Sequence, residues 1–131
     1  MNNKIVIVGA KRTPIGSFQG QFSTVSADEL GAVAIRGALE QAGLGPDSVD
    51  DVLMGCVLPA GMGQAPARLA SRKAGIPTSA GAVTINKACG SAMKTMQIGH
   101  DQILAGSSDI VVAGGMENMS LAPYLLPKAR G

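Results

Sequence analysis

Short runs of β-branched residues alternate with longer segments of helical periodicity along this chain, which limits the folds open to it. The runs are continuous rather than interrupted by polar residues, as in strands that are buried on both faces of a parallel sheet. We predict four strands, at Ile5–Val8, Val52–Val57, Val83–Ile85 and Ile110–Ala113. The first two flank a helical pattern and form a strand, helix and strand unit with a right-handed crossover. The sequence therefore predicts an α/β domain with a parallel sheet.

Three helices are predicted between these strands. Ser26 is a candidate N-cap with Glu29 three residues later, the pattern of a capping box. Pro66 suits the first position of a second helix over residues 67–74. A third helix over residues 92–105 has apolar residues at spacings of four, three and four, so we expect it to be largely buried.

Composition and charge exclude several classes of function. The chain has 131 residues, enough for one domain with its own core. Because only 2% of the residues are aromatic, we expect that core to consist of aliphatic side chains. A net charge of +2 without any basic run gives no surface for nucleic acid. No segment approaches the roughly 20 apolar residues that span a bilayer, and Ile5–Val8 is too short for a signal-peptide core. We expect a cytoplasmic protein that contacts neither membranes nor nucleic acid.

The two cysteines differ in their surroundings. Cys56 lies inside a predicted strand and is interpreted as a core residue, and the spacing of a metal site is absent. Cys89 lies at a strand-to-helix turn, and the small residues after it leave the N–H groups of the first helical turn unobstructed. A helix N-terminus favours the thiolate form, which suits acyl transfer. A buried, unreactive cysteine is the alternative, and position alone leaves both open.

Three segments resemble the thiolase family, in particular its acetyl-CoA acetyltransferases. The segment Asn-Lys-Ala-Cys-Gly-Ser-Ala-Met-Lys at residues 86–94 is similar to the family's active-site segment. Residues 114–120, Gly-Gly-Met-Glu-Asn-Met-Ser, resemble the signature Gly-Gly-Met-Glu-Ser-Met-Ser. Residues 63–68 resemble Gly-Gln-Asn-Pro-Ala-Arg, but Ala65 replaces the asparagine and puts its hydrogen bond in doubt. The resemblance covers the whole chain and places Cys89 where the family has its acylated nucleophile.

The resemblance implies a particular fold and extent. Residues 1–131 would form the N-terminal thiolase half-domain, ending about where the family's inserted loop domain begins, without that domain or the C-terminal half. The sheet would have about four strands in the order 3-2-1-4, numbered along the chain, with helices on both faces and without the family's fifth strand. The third strand would then be an edge strand, and residues 81–86 would form a homodimer contact or part of a higher homo-oligomer.

The resemblance also implies an activity. Two acetyl-CoA molecules would be joined to acetoacetyl-CoA, or the reverse thiolysis would run, through an acyl thioester on Cys89. Coenzyme A thioesters are then substrates, and no cofactor or metal is implied. The family's activating histidine and proton-transfer cysteine belong to its second half, and His100, eleven residues after Cys89, is about 16 Å along the same helix. The chain alone is expected to lack turnover, and a separate chain carrying the C-terminal half is an implied partner.

Two other functions remain open at this stage. The chain could be a catalytically silent module that keeps a dimerising thiolase half as an interaction surface. A β-ketoacyl synthase of the same fold is disfavoured by the segment at residues 114–120. Arg68 is interpreted as a solvated residue on a helix face, with a functional role as the alternative, and His100 as a surface or packed residue of a helix.

Overall fold

A computed structural model describes residues 4–131. Helices and strands alternate along this part of the chain, and two short 3-10 turns, Pro46–Ser48 and Met119–Leu121, complete it. The elements, in chain order, are α1 (Ala27–Ala42), β1 (Asp51–Gly55), α2 (Pro66–Lys73), β2 (Gly81–Ile85), α3 (Ser91–Leu104) and β3 (Val111–Gly115).

The three strands form one parallel sheet in the order β2-β1-β3. Asp51 at the start of β1 is level with Gly81 of β2 on one side and with Val111 of β3 on the other. The carboxyl ends of all three strands therefore lie at the same edge of the sheet. The predicted α/β class with a parallel sheet is confirmed.

Helices cover both faces of the sheet, because successive side chains of β1 point in opposite directions. Met54 packs near Gly31 of α1, whereas Leu53 lies near Gly99 of α3. Both side chains are almost completely buried. The helices α1 and α2 pack against each other, and the main core cluster lies between them and the sheet.

An ion pair joins α1 to α2 beside this core. Lys73 Nζ lies 2.6 Å from Oδ2 of Asp28, whose carboxylate is almost completely buried. Burial opposes ionisation, but the hydrogen bonds that the carboxylate accepts, first among them that from Lys73, together with the Lys73 charge outweigh it and hold the pKa of Asp28 below its usual value. The pair fixes the start of α1 against the end of α2.

The predicted strand at Ile5–Val8 is wrong, and with it the strand order 3-2-1-4. Within the described residues β1 pairs directly with β3, so no strand lies between them. The N-terminal segment instead runs along α1, where the Ala10 N–H donates to Gln41 Oε1 at 2.8 Å. Val6, Ile7 and Val8 are 66%, 72% and 58% exposed. A β-branched run favours extended backbone but does not specify which strand it pairs with.

The predicted burial of α3 is only partly correct. Its buried residues are small or polar, namely Ser91, Thr95 and Gly99, and they face the sheet. Met93 and Leu104 are 73% and 69% exposed. Small residues let the helix axis approach the strands closely, and the larger apolar side chains then point away from the sheet.

Helix ends also depart from the prediction. The Ser26 side chain makes no capping hydrogen bond to α1 within the described chain, although the predicted helix is present and ends at Gly43, whose φ of 67° is left-handed. The N-terminus of α2 is capped from another element, because the Ala67 N–H donates to Thr84 Oγ1 of β2 at 2.9 Å. This bond satisfies a donor of the helix whose N-cap residue, Ala65, has no side-chain acceptor.

Two glycines let the start of α3 pack closely against the ends of β1 and β3. A methyl group on Gly55 would lie 2.7 Å from Ser91 Cβ and 2.9 Å from the Ser91 carbonyl carbon. A methyl group on Gly115 would lie 2.9 Å from Ala92 Cβ. These distances are shorter than van der Waals contact, so both positions require glycine for the helix to lie where it does.

Substituting Gly55 tests this close approach. We expect Gly55→Ala to lower the free energy of unfolding by about 1–3 kcal/mol, because the first turn of α3 must move away from the sheet. Gly45→Ala is the matched control, since Gly45 has a φ of −75° and no atom within 4 Å of the added methyl group. Urea unfolding of both variants measures the difference. Equal stability of Gly55→Ala and the unsubstituted chain would contradict the packing described.

Candidate active site

Cys89 lies in the turn that joins β2 to α3, at the carboxyl edge of the sheet, and its side chain is exposed. Ala88 before it has a φ of 46°, in the left-handed region that residues other than glycine seldom adopt. The Gly90 N–H donates to the Lys87 carbonyl at 3.0 Å and closes the turn. The predicted strand-to-helix turn is confirmed, and it presents the cysteine at the N-terminus of α3.

The hydroxyl group of Ser91 makes two hydrogen bonds that stabilise this turn. It donates to the Ala88 carbonyl at 2.6 Å and accepts from the Lys87 N–H at 2.8 Å. Ser91 is buried beneath the turn, against β1. The Lys87 N–H and the Ala88 carbonyl are therefore both fixed to the first residue of α3.

The side chain of Asn86 connects the turn to the end of β1. Its Oδ1 accepts from the Ala88 N–H at 3.0 Å, and its Nδ2 donates to the Val57 carbonyl at 3.4 Å. The first of these bonds is an Asx turn, in which an asparagine side chain substitutes for a backbone acceptor two residues before the donor. It satisfies the N–H of the residue with left-handed backbone.

Glu117 holds the segment that follows β1 from the side of β3. Its carboxylate accepts from the Val57 N–H at 2.8 Å and from the Leu58 N–H at 3.2 Å. Two N–H donors from successive residues are a favourable site for a carboxylate. The loops after β1, β2 and β3 are thus connected by side chains at one edge of the sheet.

Cys56 is almost completely buried beside Glu117, with its Sγ 3.6 Å from Oε1 of that residue. Burial, together with the negative charge of Glu117, raises the pKa of the Cys56 thiol to about 11. The thiol is therefore protonated at neutral pH and cannot act as a nucleophile. The interpretation of Cys56 as a core residue is confirmed.

His100 and Arg68 lie away from the turn. His100 is exposed on α3, and its Nδ1 lies 3.2 Å from Oδ1 of the neighbouring Asp101, which confirms a histidine of the helix surface. Arg68 is not a solvated residue as predicted, because its Nη1 donates to the Ala80 carbonyl at 2.8 Å. It connects α2 to the residue before β2.

Sequence patterns predicted the strand-to-helix turn at Cys89 but missed the residues that fix it. Asn86 lies two residues before Ala88, and an asparagine directly after a strand is a signal for an Asx turn that could have been used. Glu117 lies in a segment that was singled out only for its resemblance to a known signature. No local pattern indicates that its partners are Val57 and Leu58, about sixty residues earlier in the chain.

Metal-binding and membrane-spanning features are absent from the described chain. Residues 4–131 contain no group of three or more histidine, cysteine, aspartate or glutamate side chains that could hold a metal ion. None of the helices in this part of the chain is long and apolar enough to cross a bilayer.

Comparison with protein families gives a match over almost the whole chain. Residues 5–131 match the family model described as "Thiolase, N-terminal domain". Among curated relatives, an acetyl-CoA acetyltransferase of Pseudomonas aeruginosa is 53% identical over 126 residues, which are 96% of this chain and 32% of the relative. A mitochondrial acetyl-CoA acetyltransferase of Danio rerio is 50% identical over 96% of this chain and 30% of its own length.

A solved structure agrees with these relatives. The thiolase Acat5 of Ascaris suum, determined in complex with coenzyme A, superposes with a TM-score of 0.91 at 42% identity. The match covers 95% of this chain and 32% of that protein. The chain thus spans about a third of the length of the proteins that it matches.

Proposed function

We propose, because this chain belongs to the thiolase family and matches its N-terminal domain, that it supplies the nucleophile of an acetyl-CoA acetyltransferase. The observation that carries the proposal is the exposed Cys89 at the N-terminus of α3, within a turn fixed by Ser91 and Asn86. The substrates are coenzyme A thioesters, without a separate cofactor. Relatives with cytosolic and with mitochondrial names occur, and we propose the cytoplasm for this chain.

The covalent step forms one carbon–sulfur bond and breaks another. The Cys89 thiolate attacks the carbonyl carbon of acetyl-CoA, and the carbonyl oxygen takes up negative charge in the tetrahedral intermediate. The Cys89 N–H helps to stabilise that oxygen. When the intermediate collapses, coenzyme A leaves as a thiolate and takes up the proton that the cysteine lost. The product is an acetyl thioester on Cys89.

Turnover needs groups that the described residues do not supply. The second acetyl-CoA must lose a proton from its methyl group before its carbon attacks the acetyl thioester and releases Cys89, so a base is required. His100 is the chain's one histidine, and it is exposed on α3 about 16 Å along the helix from Cys89. We propose that the base comes from the C-terminal half of a complete thiolase, present in the same or a separate chain.

Exposure to acetyl-CoA tests this assignment. We expect a slow mass increase of one acetyl group per chain, located on Cys89 by peptide mass spectrometry, and multiple turnover only when a C-terminal thiolase half is supplied. Cys89→Ala should remove the acetylation, whereas Cys56→Ala should retain it because that thiol is buried and protonated. Acetylation of Cys56 in place of Cys89, or continuous formation of acetoacetyl-CoA by the chain alone, would contradict the proposal.

The outer edge of β2 supports a proposal about assembly. The strand is at one end of the sheet, and its partner on the inner side is β1. The Gly81 N–H donates to Asp50, and the Ile85 carbonyl accepts from Cys56. Because alternate residues of a parallel strand bond to the same neighbour, Ala82 and Thr84 direct their backbone groups outward. We propose that residues 81–86 pair with the same segment of a second copy in a homodimer.

Proline at Ala82 tests the dimer. We expect Ala82→Pro to shift the mass measured by light scattering from dimer to monomer, because proline removes an outward N–H without breaking a bond to β1. Ala82→Ser keeps that N–H and is the matched control that should remain dimeric. A monomeric unsubstituted chain at high protein concentration, or a dimer unaffected by Ala82→Pro, would contradict this interface.

A further inference from the structure

A continuous series of hydrogen bonds runs from the end of β3 to the residue before Cys89. The Glu117 carboxylate accepts from the Val57 N–H at 2.8 Å, and the carbonyl of the same Val57 accepts from Asn86 Nδ2 at 3.4 Å. Asn86 Oδ1 then accepts from the Ala88 N–H at 3.0 Å. The Val57 N–H therefore binds Glu117, which follows β3, and the Val57 carbonyl binds Asn86, which follows β2.

The left-handed backbone of Ala88 makes this series relevant to the nucleophile. A φ of 46° is unfavourable for alanine and persists where surrounding contacts determine it. The Ala88 carbonyl is held by Ser91, which is part of α3, whereas its N–H is held by Asn86. Release of the N–H would let Ala88 leave the left-handed region, and Cys89 would then move relative to the start of α3.

We propose that Asn86 and Glu117 are positioning residues for Cys89. Glu117 fixes the Val57 peptide at the end of β1, and Asn86 relates the position of that peptide to Ala88, so that the sulfur stays at the N-terminus of α3. We call this set of residues, Glu117, Val57, Asn86 and Ala88, the positioning network. The inference rests on the proposed role of Cys89 as the nucleophile, and neither positioning residue contacts the substrate in it.

Alkylation by iodoacetamide tests the network without any acyl-CoA, so its result is independent of the proposed transferase activity. We expect Asn86→Ala to slow alkylation of Cys89 by about twofold to fivefold at neutral pH, the size of effect that a helix N-terminus has on an exposed negative charge. Asn86→Ser keeps an acceptor for the Ala88 N–H and should recover part of the rate. Rates for each thiol come from mass spectrometry of the two cysteine peptides.

Variants at Glu117 and a double substitution separate positioning from general destabilisation. Glu117→Gln retains one acceptor oxygen, so its rate of Cys89 alkylation should lie between the rates of the unsubstituted chain and of Glu117→Ala. Because both residues act through Val57, Asn86→Ala combined with Glu117→Ala should slow Cys89 alkylation little more than Asn86→Ala alone, a non-additive result.

Asn118→Ala is the matched control, since it loses hydrogen bonds to the Phe22 and Val25 carbonyls without touching the network. It should lower thermal stability but leave the alkylation rate of Cys89 unchanged.

Cys56 reports whether an Asn86 or Asn118 variant has unfolded, because its buried thiol reacts only when the core opens. In the Glu117 variants, which change the surroundings of Cys56, thermal melting reports unfolding instead. If Asn86→Ala exposes Cys56, the milder Asn86→Ser and Glu117→Gln decide the question. Unchanged or faster alkylation of Cys89 in these variants, or fully additive effects in the double variant, would overturn the inference. If the alkylation rates change as expected but acetyl-CoA does not acetylate Cys89, the positioning network is supported and only the proposed function is overturned.

Discussion

The close approach of α3 to the carboxyl ends of β1 and β3 is the contact on which the candidate site depends. Gly55 and Gly115 leave no side chain between the strands and the first turn of the helix, so Ser91 and Ala92 lie directly against the sheet. The helix therefore begins immediately above the strand ends, and the turn before it has to be short. Cys89 is presented by that turn, exposed, at the N-terminal end of the helix.

Packing alone does not determine the conformation of the turn, and polar side chains complete it. Ser91 binds it from the helix, and Asn86 binds it from the strand side. Glu117 extends the same set of bonds to the loop after β1. Each of the three strand ends thus contributes one element of the support, and the arrangement exists only when the parallel sheet has formed. This explains how an exposed cysteine can have a well-defined position.

The sequence predicted features that depend on neighbouring residues. The apolar runs at residues 52–57 and 110–113 were placed in strands because burial of both faces of a parallel sheet leaves a continuous pattern. The turn at Cys89 was predicted because a turn between a strand and a helix is visible in local composition, whereas its role as a nucleophile was implied by the resemblance to thiolases. The run at Ile5–Val8 has the same composition and forms no strand among the described residues, since pairing depends on which neighbour is available.

Contacts between residues far apart in the chain could not be predicted from the sequence. Thr84 caps α2, and Glu117 binds Val57, across separations of 17 and 60 residues. The exposed apolar side chains of α3 were expected to face the core, because helical periodicity identifies an apolar side without showing what covers it. In the structure small residues face the sheet, and Met93 and Leu104 point outward.

Amide hydrogen exchange of the turn, followed by NMR, tests most directly whether Cys89 is held in a fixed position. The account predicts that the N–H groups of Lys87, Ala88 and Gly90, each hydrogen-bonded within the site, exchange within about tenfold of the rate at Val83 in β2, because turn and sheet open together. Exchange of these three groups at the rate of an unstructured peptide, while Val83 remains protected, would contradict it.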